Sequence, residues 1–430
     1  MMEAKTVHPF RQPAVQKWLA TGLLLRFILM PLATHSDLLS IYQRAHLILG
    51  GHPEGPDMNL LNALHAGFLW LIRPLIPYQS LWGGLQETSL AASEWLGFIN
   101  STAVFRTLFL MKVPYLAFEL LALWALLSLV EPAKTSRTTA FWMLNPVVIF
   151  STYIFGRFDI IIVWLILSAL LLAKRERPHL AVLTLGLAAL IRVFPIILVL
   201  PFAFILKERW TDRLRLAAIG GVPLFASMAI GTSSVQFGIV RDFGGMQHLE
   251  YPLAMKFFLY GQDNLYIFVF LYSLIIMYLY LHPRLGFENL KRFCFYVMLT
   301  FFATSFFHPH YLIWLVPFIA FYIDVPRLLP LHGIQVSGWI IYTFQWGRSL
   351  AGYLIASISP AFFWAIVSPA EWIGQYYPSD QFVGLGRSLF SAVCLAMAYL
   401  VWRQYGGALD IAPGRTRREA AETAAEERGA

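Results

Sequence analysis

The chain has 430 residues, of which 58% are hydrophobic and 13% charged, and its mean hydropathy is +0.62. Soluble domains run at roughly 45–50% apolar and about 25% charged, so an ordinary soluble domain and a disordered chain are both excluded, leaving a polytopic membrane protein. The formal charge of +8 is first a topology signal, because Lys and Arg collect in cytoplasmic loops.

In chain order, apolar runs fall at about 18–34, 105–130, 139–155, 158–173, 180–192, 194–206, 214–231, 264–281, 293–308, 311–323, 334–356 and 386–402. Lys5, Arg11 and Lys17 precede the first run, Arg26 interrupts it and no small-residue cleavage site follows. It therefore reads as a retained span. Next, Leu38, Ile41, Ala45 and Ile48 recur at helical spacing over Ser36–Leu49, with Ser36 or Asp37 as the cap. A second apolar helix at about 58–76 carries His65 and Arg73. If it spanned, every later loop would invert, so it is placed along the outer interface. The pattern leaves open whether 58–76, 180–206 and 360–373 span, re-enter or lie at the interface. Three breaks interrupt the later runs: Gly156-Arg157-Phe158-Asp159, Arg192-Val193-Phe194-Pro195 and His308-Pro309-His310. Irregular backbone at membrane depth is tolerated where protein or water satisfies it, which points to helices broken beside a cavity. Cys294 and Cys394 both lie in apolar runs, so neither a disulfide nor a thiolate metal site is expected. The expected organisation is one transmembrane domain over 1–405, with an outer loop at 35–104, and a disordered cytoplasmic tail over 406–430.

With the N-terminus in the cytoplasm, the inner segments hold Lys134 and Arg137; Lys174, Arg175 and Arg177; Lys207, Arg209, Arg213 and Arg215; Arg284, Lys291 and Arg292; Arg327; and Arg403. The outer segment 35–104 has Arg44 and Arg73 against Asp37, Glu54, Asp57, Glu87 and Glu94, and 359–384 has Glu371 and Asp380 without Lys. The bias predicts about twelve transmembrane or half-spanning helices, both termini in the cytoplasm and a site on the outer face.

An ionisable side chain inside a span costs at least about 2.5–3.5 kcal/mol on insertion scales and needs a reason. The candidates are Arg26, Lys112, Glu119, Asp159, Arg192 and Arg348. Arg26 with Glu119 reads as a structural pair. Lys112, before Pro114, and Arg192, before Pro195, suit a phosphate at headgroup depth. Asp37 is either a helix cap or a general base at the membrane surface. Asp159 is a helix cap, a partner of Arg157 or a ligand for a sugar hydroxyl. His308 and His310 flank a proline. Two histidines make a poor metal site but reasonable donors to a phosphate or a sugar. No P-loop, dinucleotide fingerprint, nucleophile elbow or zinc motif is present. An enzyme of this composition would take an activated substrate that resides in lipid.

The ordered set of motifs carries a resemblance. Asp37 follows the first span. Lys112-Val113-Pro114 comes next, then Asn145-Pro146 leading to Gly156-Arg157-Phe158-Asp159, then Arg192-Val193-Phe194-Pro195 with Leu200-Pro201, and last His310-Tyr311-Leu312-Ile313-Trp314-Leu315-Val316-Pro317. In that order they resemble the GT-C integral membrane glycosyltransferases, in particular bacterial polyprenyl-phosphate-sugar hexosyltransferases and GPI mannosyltransferases. The resemblance implies an all-α GT-C-like fold and inverting transfer of a hexose, mannose favoured, from a polyprenyl-phosphate donor to a glycan, glycolipid or protein acceptor. It implies Asp37 as catalytic base. Lys112, Arg157, Asp159, Arg192, His308, His310 and Tyr311 would bind substrate. Lys112, Arg192 and either His310 or His308 would face the leaving phosphate, and Arg157 and Asp159 the sugar. No cofactor, divalent metal or nucleic acid is expected, and the implied location is an inner membrane of bacterial type. A second carboxylate beside Asp37 is missing, since His35 and Ser36 stand there, and the frequent Gly-Gln-x-Asp is here Gly-Arg-Phe-Asp. The competing classes are a twelve-span secondary transporter, which calls for internal repeats and mid-membrane substrate groups, and a lipid-linked oligosaccharide ligase or flippase.

Overall fold

A computed structural model describes residues 10, 12–51, 60–82, 97–230, 250–261, 263–282, 285–347 and 355–406. Arg348, the tail beyond 406, most of the loop 232–263 and the acidic positions Glu54, Asp57, Glu87 and Glu94 lie outside the described residues. The major helices are α1 (Pro13–Leu32), α2 (Ser36–Gly50), α3 (Leu60–Ile72), α4 (Val104–Leu129), α5 (Thr135–Leu144), α6 (Asp159–Lys174) and α7 (Pro178–Ile191). They continue with α8 (Val199–Leu206), α9 (Trp210–Ile230), α10 (Ile267–Leu281), α11 (Phe287–Thr304), α12 (Val316–Phe321), α13 (Leu328–Thr343) and α14 (Ser379–Tyr405). Three of these, α1, α4 and α14, are long and apolar enough to cross a membrane, while apolar helices such as α7 and α10 have 10–17 residues. The helical class stands as expected; the count of about twelve crossings is not reached by full-length helices among the described residues.

One element departs from all-α. Strands β1 (Lys256–Phe258) and β2 (Asn264–Tyr266) form an antiparallel hairpin pairing Lys256 with Tyr266 and Phe258 with Asn264. Aromatic residues favour extended backbone, and Gly261, with φ +59°, supplies the reversal.

The helices stack as a ladder. α1 packs on α4 and α5, α4 on α6, α6 on α7, α7 on α9, and α14 covers α11 and α13. Gly186 of α7 lets α9 approach, since a Cβ there would stand 2.4 Å from the Gly220 carbonyl oxygen. From Asn289 onward α11 is buried on every side, which its nearly continuous apolar and aromatic sequence allows.

Two buried polar clusters fix α1. The Arg26 Nε–H donates to Glu119 at 2.7 Å, and its Nη1 donates to the carbonyls of Gly22 (2.9 Å) and Met143 (2.7 Å). Trp142 and Tyr153 also donate to Glu119. The expected Arg26–Glu119 pair is therefore present and buried, with every guanidinium nitrogen of Arg26 hydrogen-bonded. The second cluster is Lys112, buried, whose ammonium donates to the carbonyls of Met30 (3.0 Å), Ala33 and Tyr153 (2.7 Å).

The predicted inner-segment cations gather at one end. Lys134 and Arg137 pair with Asp324, Lys174 donates to Ser128, Lys291 to Leu129 and Arg292 to Tyr405. The three predicted breaks gather at the other end. The sixteen residues of α6 separate the two ends by about 24 Å.

Removing one member of a buried ion pair leaves an uncompensated charge, worth about 3–5 kcal/mol. Glu119→Gln is therefore expected to lower the thermal unfolding temperature of detergent-purified protein strongly. An unchanged transition would show that Arg26 does not depend on it.

Candidate functional site

The site begins where α1 ends. Ala33, Thr34 and His35 leave the helix in extended conformation, and α2 starts at Ser36. His35, not Ser36 or Asp37, caps α2: its Nδ1 accepts the Asp37 backbone N–H at 3.2 Å. This corrects the capping expectation and leaves the Asp37 carboxylate free for tertiary contacts. His35 also stacks on Phe155, with ring centroids 3.8 Å apart. Because the His35 Nδ1 accepts that N–H, its 3.8 Å approach to the Asp37 carboxylate is a neighbour contact rather than a charged bond.

Each predicted break supplies one wall. At the first, a π-helical turn, Phe150–Ile154, leads to Gly156 at φ +74°, where a Cβ would press on Leu38 of α2. Only glycine fits there without displacing the helix that carries Asp37. At the second, α7 ends in extended backbone at Arg192 and resumes as a 3-10 turn, Phe194–Leu198. At the third, His308 is extended before the 3-10 turn Pro309–Trp314. Prolines at the start of both turns contribute no N–H, so each break loses little hydrogen bonding.

These elements enclose a cavity of about 380 Å3 lined by Asp37, Arg157, Arg192, His308, His310 and Tyr311, with Ser40, Ile41, Arg44, Leu61 and Phe158 among the rest. Arg157 Nη1 meets the Asp37 carboxylate at 3.1 Å. Below it, buried Asp159 lies 3.7 Å from His310 Nε2 and 4.0 Å from Arg157 Nε. Among the described residues, the Trp314 indole N–H approaches the Asp159 carboxylate, and neither His310 ring nitrogen makes a hydrogen bond. Buried polar atoms left this way are costly without a partner. The Arg192 guanidinium lies over Phe158 (5.0 Å) and Tyr311 (5.2 Å), and the Tyr251 hydroxyl bonds His308 Nε2 at 3.1 Å.

Of the expected site residues, the structure therefore brings Asp37, Arg157, Arg192, His308, His310 and Tyr311 to one cavity, with Asp159 at its base. Lys112 is not among them. Its three N–H bonds are taken by backbone carbonyls, so the expected role on a phosphate is corrected to a structural clamp. Sequence reasoning missed Ser40 and Arg44 as lining residues. The signal was available: 37, 40, 41 and 44 fall at i, i+3, i+4 and i+7, one face of α2.

Asp37 is 40% exposed toward the cavity. Partial burial pushes its carboxyl up, but the opposing charges, Arg157 first and then Arg192 and His308, hold it below the usual carboxylate range. It is thus ionised across neutral pH. Its contribution to folding is fully present above the ordinary carboxylate pKa and is lost only as the pH falls through the depressed value. Among the described residues, no three His, Cys, Asp or Glu side chains converge on a metal-sized site.

Residues 98–304 match glycosyltransferase family 87, a polyprenyl-linked, GT-C-type family of membrane glycosyltransferases. No curated protein and no solved structure matches the chain. The matched stretch includes Arg157, Asp159 and Arg192; Asp37, His308, His310 and Tyr311 lie outside it.

Lys112→Met leaves three buried carbonyls unpaired, each worth about 1–3 kcal/mol. Thermal unfolding should move down by several degrees while KM for a donor stays within about twofold in the folded fraction. A raised KM at unchanged stability would restore Lys112 to the substrate.

Proposed function

We propose that the family 87 segment and its flanking elements form a glycosyltransferase that moves a hexose, mannose favoured, from a polyprenyl-phosphate donor to an acceptor hydroxyl on the outer face of the membrane, with inversion. The observation that carries this reading is the pairing, in one cavity, of a carboxylate at the mouth with two arginines on broken helices. The lining holds Asp37 against Arg157, Arg192 and Arg44, a surplus of positive charge that favours an anionic ligand.

In this mechanism the donor phosphate lies against Arg157 and Arg192, and the sugar lies over His310, with Asp159 behind it. The acceptor oxygen attacks the anomeric carbon from the face opposite the phosphate. The carbon–oxygen bond to the phosphate breaks, its electron pair leaves with the lipid phosphate and the acceptor proton passes to Asp37. Without donor, Arg157 holds Asp37 in an ion pair, which weakens the carboxylate as a base. A donor phosphate competes for the same guanidinium and releases the carboxylate when the acceptor needs it. The arginines stabilise negative charge that grows on the leaving phosphate, an effect strongest in a water-poor site.

General-base catalysis contributes about 10²–10⁴-fold. In purified protein with a labelled polyprenyl-phosphate hexose, Asp37→Asn should lower kcat by that factor at normal accumulation. Full activity of the variant would remove Asp37 from the reaction, and transfer from a nucleotide sugar alone would overturn the donor assignment.

The acid limb of kcat/KM reports the free enzyme's base. It should lie below the ordinary carboxylate range in the wild type. In Arg157→Gln, burial is opposed by fewer cations, so the limb should move to higher pH and KM for the donor should rise. An unmoved limb would separate Asp37 from Arg157.

A further inference from the structure

The opposite end of the molecule holds a second polar cavity, of about 310 Å3, that the transfer reaction does not use. Lys134, Lys174, Lys291 and Arg292 line it, against Glu131 and Glu288, so its walls carry two more positive than negative charges. Asp324 sits beside it, paired to Lys134 at 3.5 Å and to Arg137 at 2.6 Å, and that outer Arg137 balances it.

The cations are anchored rather than loose. Lys291, with a side chain 8% exposed, bonds Glu288 at 2.7 Å and the Leu129 carbonyl at 3.3 Å. Lys174 donates to Ser128 at 2.9 Å, and Arg292 Nη1 donates to the Tyr405 carbonyl at 3.0 Å. Among the described residues, two buried donors on the same wall have no hydrogen-bond partner: the Nε–H of Arg292 and the hydroxyl of Tyr322, both residues 6% exposed. Buried donors of this kind need an acceptor. An oxyanion supplies several acceptors at once, and charge-assisted bonds from Lys and Arg are the strong ones. Leu129 and Lys174 are the last residues of α4 and α6, which puts the cavity at the ends of two bundle helices.

We propose that this cavity binds a phosphate-bearing anion at the end of the bundle opposite the transfer site. A phosphate of an anionic glycerophospholipid headgroup and a soluble phosphate share this chemistry. The cavity has room for a headgroup, and its cations supply the charge such a headgroup needs. Basic pockets between helices on the cytoplasmic side are suited to such headgroups. This assignment is independent of the donor and sugar chosen above.

The test uses the full chain in nanodiscs of phosphatidylcholine alone or with added phosphatidylglycerol, and in phosphatidylcholine with inorganic phosphate. Thermal unfolding and native mass spectrometry read binding. The wild type should be stabilised by phosphatidylglycerol, and Lys134→Gln/Lys174→Gln should weaken that binding about 25-fold, about fivefold per cation. Arg292→Gln should weaken it comparably to one lysine; where that variant fails to fold, the double lysine variant decides. Arg403→Gln, an exposed cation at the same end, should behave as the wild type. Stabilisation by inorganic phosphate that the double variant loses would support the site with a soluble source. The proposal is overturned if neither phosphate source stabilises the wild type, if the double variant responds as the wild type does, or if Arg403→Gln loses as much as the double variant.

Discussion

The Lys112 ammonium holds the site in place without touching it. A buried cation in a bundle without bulk water must spend every N–H on the protein, and Lys112 spends its three on Met30, Ala33 and Tyr153. Those carbonyls belong to the end of α1 and to the π-helical turn before Gly156. Both segments have free carbonyls because regular helix stops there. One side chain from α4 therefore ties together the two irregular segments that deliver Asp37 and Arg157. A turn lower, the Arg26–Glu119 cluster binds the same three elements, so the approach of α1 to α4 is set twice.

The intramembrane cations fall into two groups by what their donors do. Arg26 and Lys112 are consumed by carboxylate and carbonyl oxygens of the protein. Arg157 and Arg192 instead face the cavity, one against Asp37 and the other across two aromatic faces. An aromatic face supports a guanidinium from outside its plane. The same logic separates the carboxylates: Glu119 receives hydrogen bonds from three side chains, whereas Asp159 has the His310 ring at 3.7 Å and the Arg157 guanidinium at 4.0 Å.

Much of this was legible in the sequence, and the limits have physical causes. The three breaks were visible because Gly, Arg, His and Pro interrupt long apolar runs, and each break does form a wall of the cavity. The Arg26–Glu119 pair was legible from cost alone, since two opposite charges in neighbouring spans seek each other. Lys112 misled because cost says that a buried cation needs partners but not which ones. Only the structure shows that interrupted helices offered carbonyls closer than any phosphate. The α2 cap misled similarly: Ser and Asp are the usual caps, but His35 accepts the N–H and leaves Asp37 to the cavity. Arg44 was passed over as one of few outer cations, although its spacing from Asp37 marks the same helix face. The hairpin was invisible because its aromatic run also fits an apolar helix or a membrane-facing loop.

The family match covers the arginines and Asp159, while Asp37 and the histidines come from elements on either side of it. The two contributions meet at the 3.1 Å contact between Asp37 and Arg157. A site built this way has its anion-handling groups on broken helices of the bundle and its candidate base on a helix that leaves the first span. The base is then positioned by the same residue that would bind the donor phosphate. Its strength therefore depends on whether phosphate is present, because a guanidinium shared with a second anion stabilises the carboxylate less. In the proposed mechanism this coupling needs no moving domain, because a change of partner at Arg157 alters the charge that faces Asp37.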